Sequence, residues 1–563
     1  VFSEVGGLAQ QMLTPAGQLL TLQEAARRVQ GGLSAWKGLA DKPELLQEAL
    51  RLIDECKTCA VAPETLFAAA EESEDAVLAE KLSDLAQILT AYERLCDESL
   101  PDPRDRLTHL RDRLAESHTL DGAAVYLDGF LGFTVQESAV VDAMLAAGVP
   151  LSAAVTCDTD YPEIFLTGCK TVQKLTRMAK HHNQTVERIE LGESKVARPE
   201  GLAALERESL LPVRTPQESA AGVRLYEAAS PFDECEHAAA YIRRKVRDEG
   251  ARCRDFVVAA RDIEPYSAFL AMAMARYDIP VFLAEKPDLL SRPPMALVTN
   301  ALEAVRNYFR YEDLFSCLKT GLAGLDWDEI DKLENYVLTW NIRGGAWERE
   351  WTEHPDGYGL SIDENAKAQL AELNTLRKRA IAPFSALREA LAGEQPAGDC
   401  VRALYAFLLA VDAPQRMTDR AAGHEQAGRL QLADEYRQLW EILVSAMEQF
   451  AWVCGDMPLT LDRFAQLFRL VLGEYDVGTI PVSLDRVTCG NIERACTENA
   501  KYVILLGVND GLIPKTPSST SLLSDMDRDK MDALGVELKA YGEERLLMEQ
   551  ETVNIDGVDT TLK

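Results

Sequence analysis

Apolar residues recur every three or four positions through most of the first 120 residues, the spacing of helices that bury one face. Leu78, Leu82, Leu85, Ile88, Tyr92 and Leu95 form the clearest stripe, which Pro101 and Pro103 end. Thr21 and Glu24 have the spacing of a capping box at the start of LQEAARRV. From 121 the pattern shifts to short apolar runs. Ala123–Leu127 and Leu151–Thr156 read as strands on either side of a helix over Gln136–Ala147, so a βαβ unit and a parallel sheet are expected. The polar stretch 181–222, with several Gly and Pro, is expected to cross between domains. Val223–Glu227, Phe256–Ala260 and Ile279–Leu283 read as further strands, with a helix over Asp233–Asp248. Helical spacing takes over from about 290 to 475. There Tyr436, Leu439, Trp440, Leu443, Met447 and Phe450 share one face, as do Phe464, Leu467, Phe468 and Val471. The strand pattern returns at Tyr502–Val508. An all-helical insertion splitting an α/β domain is the simplest account.

Length and charge narrow this picture. A chain of 563 residues exceeds one hydrophobic core, so two to four domains are expected. With 47% hydrophobic and 27% charged residues it is not a disordered chain. No apolar run reaches membrane-spanning length, and VFSEVGGLAQQ has neither a basic region nor an apolar region of a signal peptide. That beginning, without Met and in mid-element, reads as the start of a fragment. A net charge of −32 argues against coating DNA by bulk electrostatics and leaves room only for a local basic or aromatic track. The twelve cysteines show no recurring spacing. Cys56 and Cys59 form one Cys-x-x-Cys with no second pair at metal spacing, so free, reduced thiols and a cytoplasmic location are expected.

The segment Thr488–Lys515 carries the most chemistry. It reads as a polar loop, a buried strand and the turn Gly507-Val508-Asn509-Asp510-Gly511 at the strand's carboxyl end, where ligands bind in open parallel sheets. Earlier, GAAVYLDGFLGFTVQE delivers Asp128 to the end of an apolar strand, where a carboxylate can hold Mg²⁺ beside a nucleotide. An Asp in that place is common in any α/β fold. No Gly-x-x-x-x-Gly-Lys-Ser/Thr loop occurs, so either the chain never bound ATP or that loop preceded Val1; the mid-element start favours the second. The seven histidines suggest no Ser-His-Asp or Cys-His site, and His181-His182 reads as a solvated pair.

The Thr488–Lys515 segment resembles the region around motif V of superfamily 1 DNA helicases, but the loop Thr488–Arg494 lacks the His and Lys-Gly-Leu-Glu of an active motor. After Asp128, Gly129 replaces the Glu that activates water in such motors. Together YLDGFLGFTVQE, ECEHAAAYIRRKVRDEGARCRDFVVAARDIEPY, LKTGLAGLDWDEIDKLENYV and SLDRVTCGNIERACTENAKYVILLGVNDGLIP resemble the AddB-type subunit of bacterial AddAB helicase–nucleases, in the family's order across nearly the whole chain.

The resemblance implies an α/β fold of two RecA-like domains, 1A and 2A, with helical insertions 1B and 2B. It places a remnant of 1A at 1–34, 1B at 35–115 and the rest of 1A at 116–221. Domain 2A would take 222–289 and 481–563, split by 2B at 290–480. The implied function is that of one subunit of an ATP-dependent DNA helicase/exonuclease in double-strand-break repair, in which this segment is a decayed helicase that binds single-stranded DNA and scans it for Chi. The implied partners are DNA and an AddA-type motor subunit. ATP and Mg²⁺ would belong to the missing P-loop region, with Asp128 as a vestige, and an iron–sulfur cluster to a C-terminal nuclease domain outside this segment. No catalytic or metal-binding residue is expected here. An active superfamily 1 helicase is the alternative, and an unrelated α/β metabolic enzyme a third reading.

If single-stranded DNA crosses the strand ends, the loops Gly129–Gln136 and Asn509–Lys515 would meet it. Phe130 and Phe133 offer stacking faces, Thr134, Gln136 and Asn509 hydrogen bonds, and Arg494 and Lys515 positive charge. Either Phe can equally be core.

Overall fold

The computed structural model describes residues 1–6, 12–130, 132–158, 165–191, 198–208, 219–283, 289–475, 485–492, 500–509, 511–513, 521–536, 538, 552–555 and 558–561. The first long helix, α1 (Pro15–Val29), starts where Thr14 accepts the Gly17 N–H at 3.1 Å and Pro15 supplies a preset first turn. The capping box expected at Thr21 is therefore corrected. Thr21 lies inside α1 and donates to the Gly17 carbonyl at 2.8 Å, while Glu24 pairs with Arg27 and Arg28. Helices α2 (Pro43–Thr58), α3 (Pro63–Glu72) and α4 (Ala76–Glu98) pack with α1 around Leu19, Leu22, Leu46, Ile53, Leu66 and Leu85. The expected α4 stripe is buried from Leu78 to Tyr92, with Leu95 at its margin. Just beyond, Asp102 is fully buried and accepts from Gln18 at 2.7 Å, Tyr92 at 2.8 Å and the Arg104 N–H at 2.9 Å. Those bonds offset the cost of burying a carboxylate. A short helix, α5 (Arg106–Leu114), leads out of this unit.

A small parallel unit follows. Strands β1 (Val125–Leu127) and β2 (Leu151–Ala153) pair in register Val125 with Leu151 through Leu127 with Ala153. Between them runs α6 (Val135–Ala146), and α7 (Leu166–His181) follows β2. Val141, Leu145 and Ala179 form the buried core here, with Leu127, Leu151, Leu175 and Met178 packed against it. Polar ties reinforce it: Lys174 donates to Ser138 at 2.5 Å, and His182 bonds Asp142 at 2.8 Å. The expected βαβ unit is present, with strands shorter than the apolar runs that announced them.

The segment expected as a strand at Val223–Glu227 is corrected to non-strand backbone. Leu225 is 95% exposed and the Tyr226 ring stacks on His237 at 3.5 Å. Next come α8 (Pro231–Glu249), β3 (Phe256–Ala260), α9 (Glu264–Arg276) and β4 (Val281–Leu283). The helical block then runs from α10 (Pro293–Arg306) to α11 (Leu430–Cys454) and α12 (Leu461–Gly473). Phe309, Tyr336, Trp347, Phe384, Phe450, Phe464 and Phe468 fill its core. Inside the block the only β-pairing among the described residues is a two-residue antiparallel contact of Gln395–Pro396 with Pro458–Leu459. Helix α1 is buried without interruption from Ala16 to Ala26, because α4 covers one side and α11 and α12 the other. Two of its buried polar residues hold partners there, Gln18 on Asp102 and Glu24 on Arg27 and Arg28.

After the block the chain returns to complete a four-stranded parallel sheet. Strands β5 (Val487–Asn491) and β6 (Tyr502–Leu506) give the order β4-β5-β3-β6. The polar loop expected over Thr488–Arg494 is thus in part a central strand. Helix α8 and α9 cover one face of the sheet around Ile242, Leu270, Met274, Phe256 and Val258. Finally α13 (Asp525–Ala533) packs back onto the N-terminal helices: Leu523, Met531 and Val536 join their core. Arg528 grips Glu55 with two bonds of 2.5 and 3.0 Å, and Lys81 meets Asp527 at 2.7 Å. No helix among the described residues is long and apolar enough to cross a membrane. The fold is α/β, with parallel sheets among many helices.

Candidate nucleic-acid interface

Two turns at the carboxyl ends of parallel strands carry the residues singled out in the sequence. After β1, Asp128 and Gly129 are exposed. Gly129 has φ +79°, and nothing lies within 4 Å of the place a Cβ would take. Phe130 is 39% exposed, whereas Phe133 is 8% exposed; their rings lie 5.2 Å apart at 30°. Phe133 therefore backs the loop and Phe130 presents a face to solvent.

The polar groups of this loop are already engaged. Thr134 caps α6, accepting the Glu137 N–H at 3.1 Å while Glu137 accepts the Thr134 N–H at 2.8 Å. The buried Gln136 amide donates to the Arg104 carbonyl at 3.0 Å and to Thr108 at 3.3 Å. Thr134 and Gln136 thus already hold bonds that fix the loop between α5 and α6. The capping box was legible as Thr-x-x-Glu; the partner of Gln136, some thirty residues earlier, was not.

The second turn follows β6. Gly507 adopts φ +68°, and a Cβ there would stand 2.6 Å from the Tyr266 hydroxyl oxygen. Its N–H donates to Glu234 at 2.7 Å. Burial, with the neighbouring Glu234 carboxylate, raises the Tyr266 pKa above the ordinary tyrosine value. Asn509 accepts from the N–H groups of Leu512 and Ile513 at 3.0 and 3.1 Å through its backbone, leaving an exposed side chain. Val508 and Leu512 are also exposed. Arg494 and Lys515 lie outside the described residues.

The neighbouring strand ends join this edge. Asn491 at the end of β5 accepts the Ile263 N–H at 2.8 Å, and the Ile492 N–H donates to the Ala260 carbonyl at 2.8 Å. Arg261, exposed directly after β3, brings a cation to the same edge. Sequence reasoning passed over Arg261 and Asn491. Their signal was position: each stands at the end of an apolar or central strand.

At the end of β1, Asp128 has the place of a Mg²⁺-holding carboxylate, while Gly129 stands where a Glu would activate water. Among the described residues no group of three or more His, Cys, Asp or Glu converges to hold a metal ion. Cys56 and Cys59 are both buried in the N-terminal helical core. The described cysteines therefore do not offer the ligand set of an iron–sulfur cluster.

Parallel sheets with helices between their strands define an α/β protein. Comparison with known proteins specifies more. Residues 1–206 match the family described as ADDB, N-terminal. The chain is 32% identical over 552 residues to the B subunit of the ATP-dependent helicase/deoxyribonuclease of Acetivibrio thermocellus, covering 95% of this chain and 48% of that protein. It is 29% identical to the corresponding B subunit of Clostridioides difficile over 563 residues, covering 98% and 49%. For the B subunit of Desulforamulus reducens the figures are 30% over 569 residues, 98% and 49%. The chain spans about half the length of the curated relatives it matches. The AddB-type resemblance is borne out: the chain is a relative of these helicase/deoxyribonuclease B subunits along nearly all of its length.

Proposed function

We propose that this chain serves as the B-subunit scaffold of an ATP-dependent helicase/deoxyribonuclease that processes DNA ends for repair by recombination. In this reading it forms two RecA-like units, one around β1–β2 and one around β3–β6, each split by a helical insertion. It guides single-stranded DNA past their carboxyl edges, scanning for Chi while an AddA-type partner drives movement. The observation that carries the reading is the pair of open strand-end turns, one presenting Phe130 and the other Asn509, the latter following a strand paired with β3. Stacking on an aromatic face contributes about 1–3 kcal/mol per base and tolerates any sequence. With a net charge of −32, such local features have to hold the strand.

The motor chemistry is decayed in this reading, since Gly129 cannot orient a water. The purified chain is expected neither to hydrolyse ATP nor to cut DNA. Photo-crosslinking of thiothymidine-labelled single strands in the two-subunit complex tests the path: crosslinks should map to 128–133 and 507–513. Crosslinks confined to the helical block would overturn the path. DNA-stimulated ATP hydrolysis by the chain, lost in Asp128→Ala, would restore the active-helicase alternative.

A further inference from the structure

Outside both turns, the structure brings two cysteines together. Cys157 follows β2 at its carboxyl end, and Cys169 lies in the first turn of α7; their sulfurs are 2.9 Å apart. A second feature explains the approach. Gly168 has no side chain where a Cβ would fall 1.9 Å from the Thr156 carbonyl oxygen. The backbone leaving β2 and the start of α7 are therefore in direct contact, and the next residue on each carries a thiol. Any larger residue at 168 would push the two sulfurs apart. Cys157 is half-buried, open to a small reagent, while Cys169 is buried behind it. By contrast, Cys56, Cys317 and Cys454 sit deep in helical cores.

We propose that Cys157 and Cys169 are a redox modification site that closes reversibly to a disulfide. Burial and the neighbouring Cys169 push the Cys157 thiol up to about 11, so only its small thiolate fraction reacts. With a peroxide as oxidant, that thiolate attacks one peroxide oxygen; an S–O bond forms, the O–O bond breaks, and one water leaves after protonation. Cys169 then attacks the sulfenic sulfur, forming the S–S bond and releasing the oxygen as a second water. For hydrogen peroxide, two thiols lose two electrons and two protons and the peroxide becomes two waters. A dithiol reverses the step by exchange through a mixed disulfide. The closed form ties the exit of β2 to α7, twelve residues apart in sequence, on the carboxyl edge that β1 shares. The site does not depend on the DNA-binding reading.

Treating the folded chain with a small excess of hydrogen peroxide, then blocking free thiols with N-ethylmaleimide, tests this. Peptide mapping should show one linked pair, Cys157 with Cys169, two hydrogens lighter than the reduced peptides, with the loss of two of the twelve thiols. Dithiothreitol should restore both. In Cys169→Ser, dimedone should trap a sulfenic acid at Cys157, and a thermal melt matching the parent shows that the variant folds. Separate alkylation of both cysteines after oxidation, or equal linkage of Cys157 to other cysteines, would overturn the proposal. So would absence of the dimedone adduct from a folded Cys169→Ser protein.

Discussion

The two parallel sheets follow the same strand–helix–strand logic and differ in what holds their carboxyl edges in place. Around β1 and β2 the strands are three residues long, and the core is Val141, Leu145 and Ala179. Tyr126 on β1 is 77% exposed. Two strands alone are marginal, so the turn after β1 takes its shape from the Thr134 cap and the Gln136 bonds. Around β3 the sheet has four strands and every residue of β3 is buried. There the sheet itself positions the edge, and single contacts at Gly507, Glu234 and Asn491 aim the turn. A strand-end edge can thus be built from side-chain pins or from a deep sheet, and the two should fail differently.

Phe256→Ala gives the largest effect. Phe256 is fully buried and stacks on Tyr502 at 4.7 Å, so its loss should cost about 3–5 kcal/mol. Hydrogen exchange in β3 and β6 reads this directly, since a chain of several units does not unfold in one step. Protection that survives intact would remove the claim that this sheet supports its own edge. Gly507→Ala should come next, at roughly 2–3 kcal/mol, from a left-handed backbone and contact with the Tyr266 hydroxyl. Gly129→Ala, with the same backbone sign but open space, should cost only about 1 kcal/mol. Equal losses would mean that the Tyr266 contact does not shape the turn.

Phe130→Ala sharpens the comparison on the functional side. Single-stranded DNA affinity of the complex should fall by about 5- to 150-fold, the equivalent of one lost stacking contact, while thermal stability stays unchanged. Unchanged affinity in an anisotropy titration takes Phe130 out of the path. Thr134→Ala should cost about 1 kcal/mol and loosen the first turn of α6, with Thr134→Ser restoring it. If exchange at Glu137 is unaltered, the cap is not what sets the loop after β1.

The smallest effect is a pH dependence confined to the larger sheet. The Arg252 N–H bonds Asp255 at 3.0 Å, and Lys501 adds a contact at 3.1 Å, so its carboxyl is held below the ordinary range. A lowered carboxyl pKa stabilises the fold above the unfolded value of about 3.9, and the contribution disappears as pH falls through the folded value. Protection of the Arg252 amide relative to its intrinsic exchange rate should therefore fall as pH drops below about 4 in the parent and not in Asp255→Asn. Parallel pH profiles for the two would discard Asp255 as the titrating group.

Periodicity alone determined the long helices and the most apolar strands. The α4 stripe, the faces of α11 and α12, and Phe256–Ala260 all lie where apolar spacing placed them, because burying those faces is the dominant local gain. The order of the quoted motifs also carried the AddB-type resemblance that the comparisons bear out. Sequence could not tell that Val487–Asn491 is a strand, since Thr488, Gly490 and Asn491 become strand residues only between β4 and β3. Nor could it tell that Val223–Glu227, apolar enough for a strand, finds no partner among the described residues. The same holds at the edges. Which Phe faces water, which amide is already bonded and which two thiols meet depend on chain segments far apart in sequence, brought together only by tertiary packing.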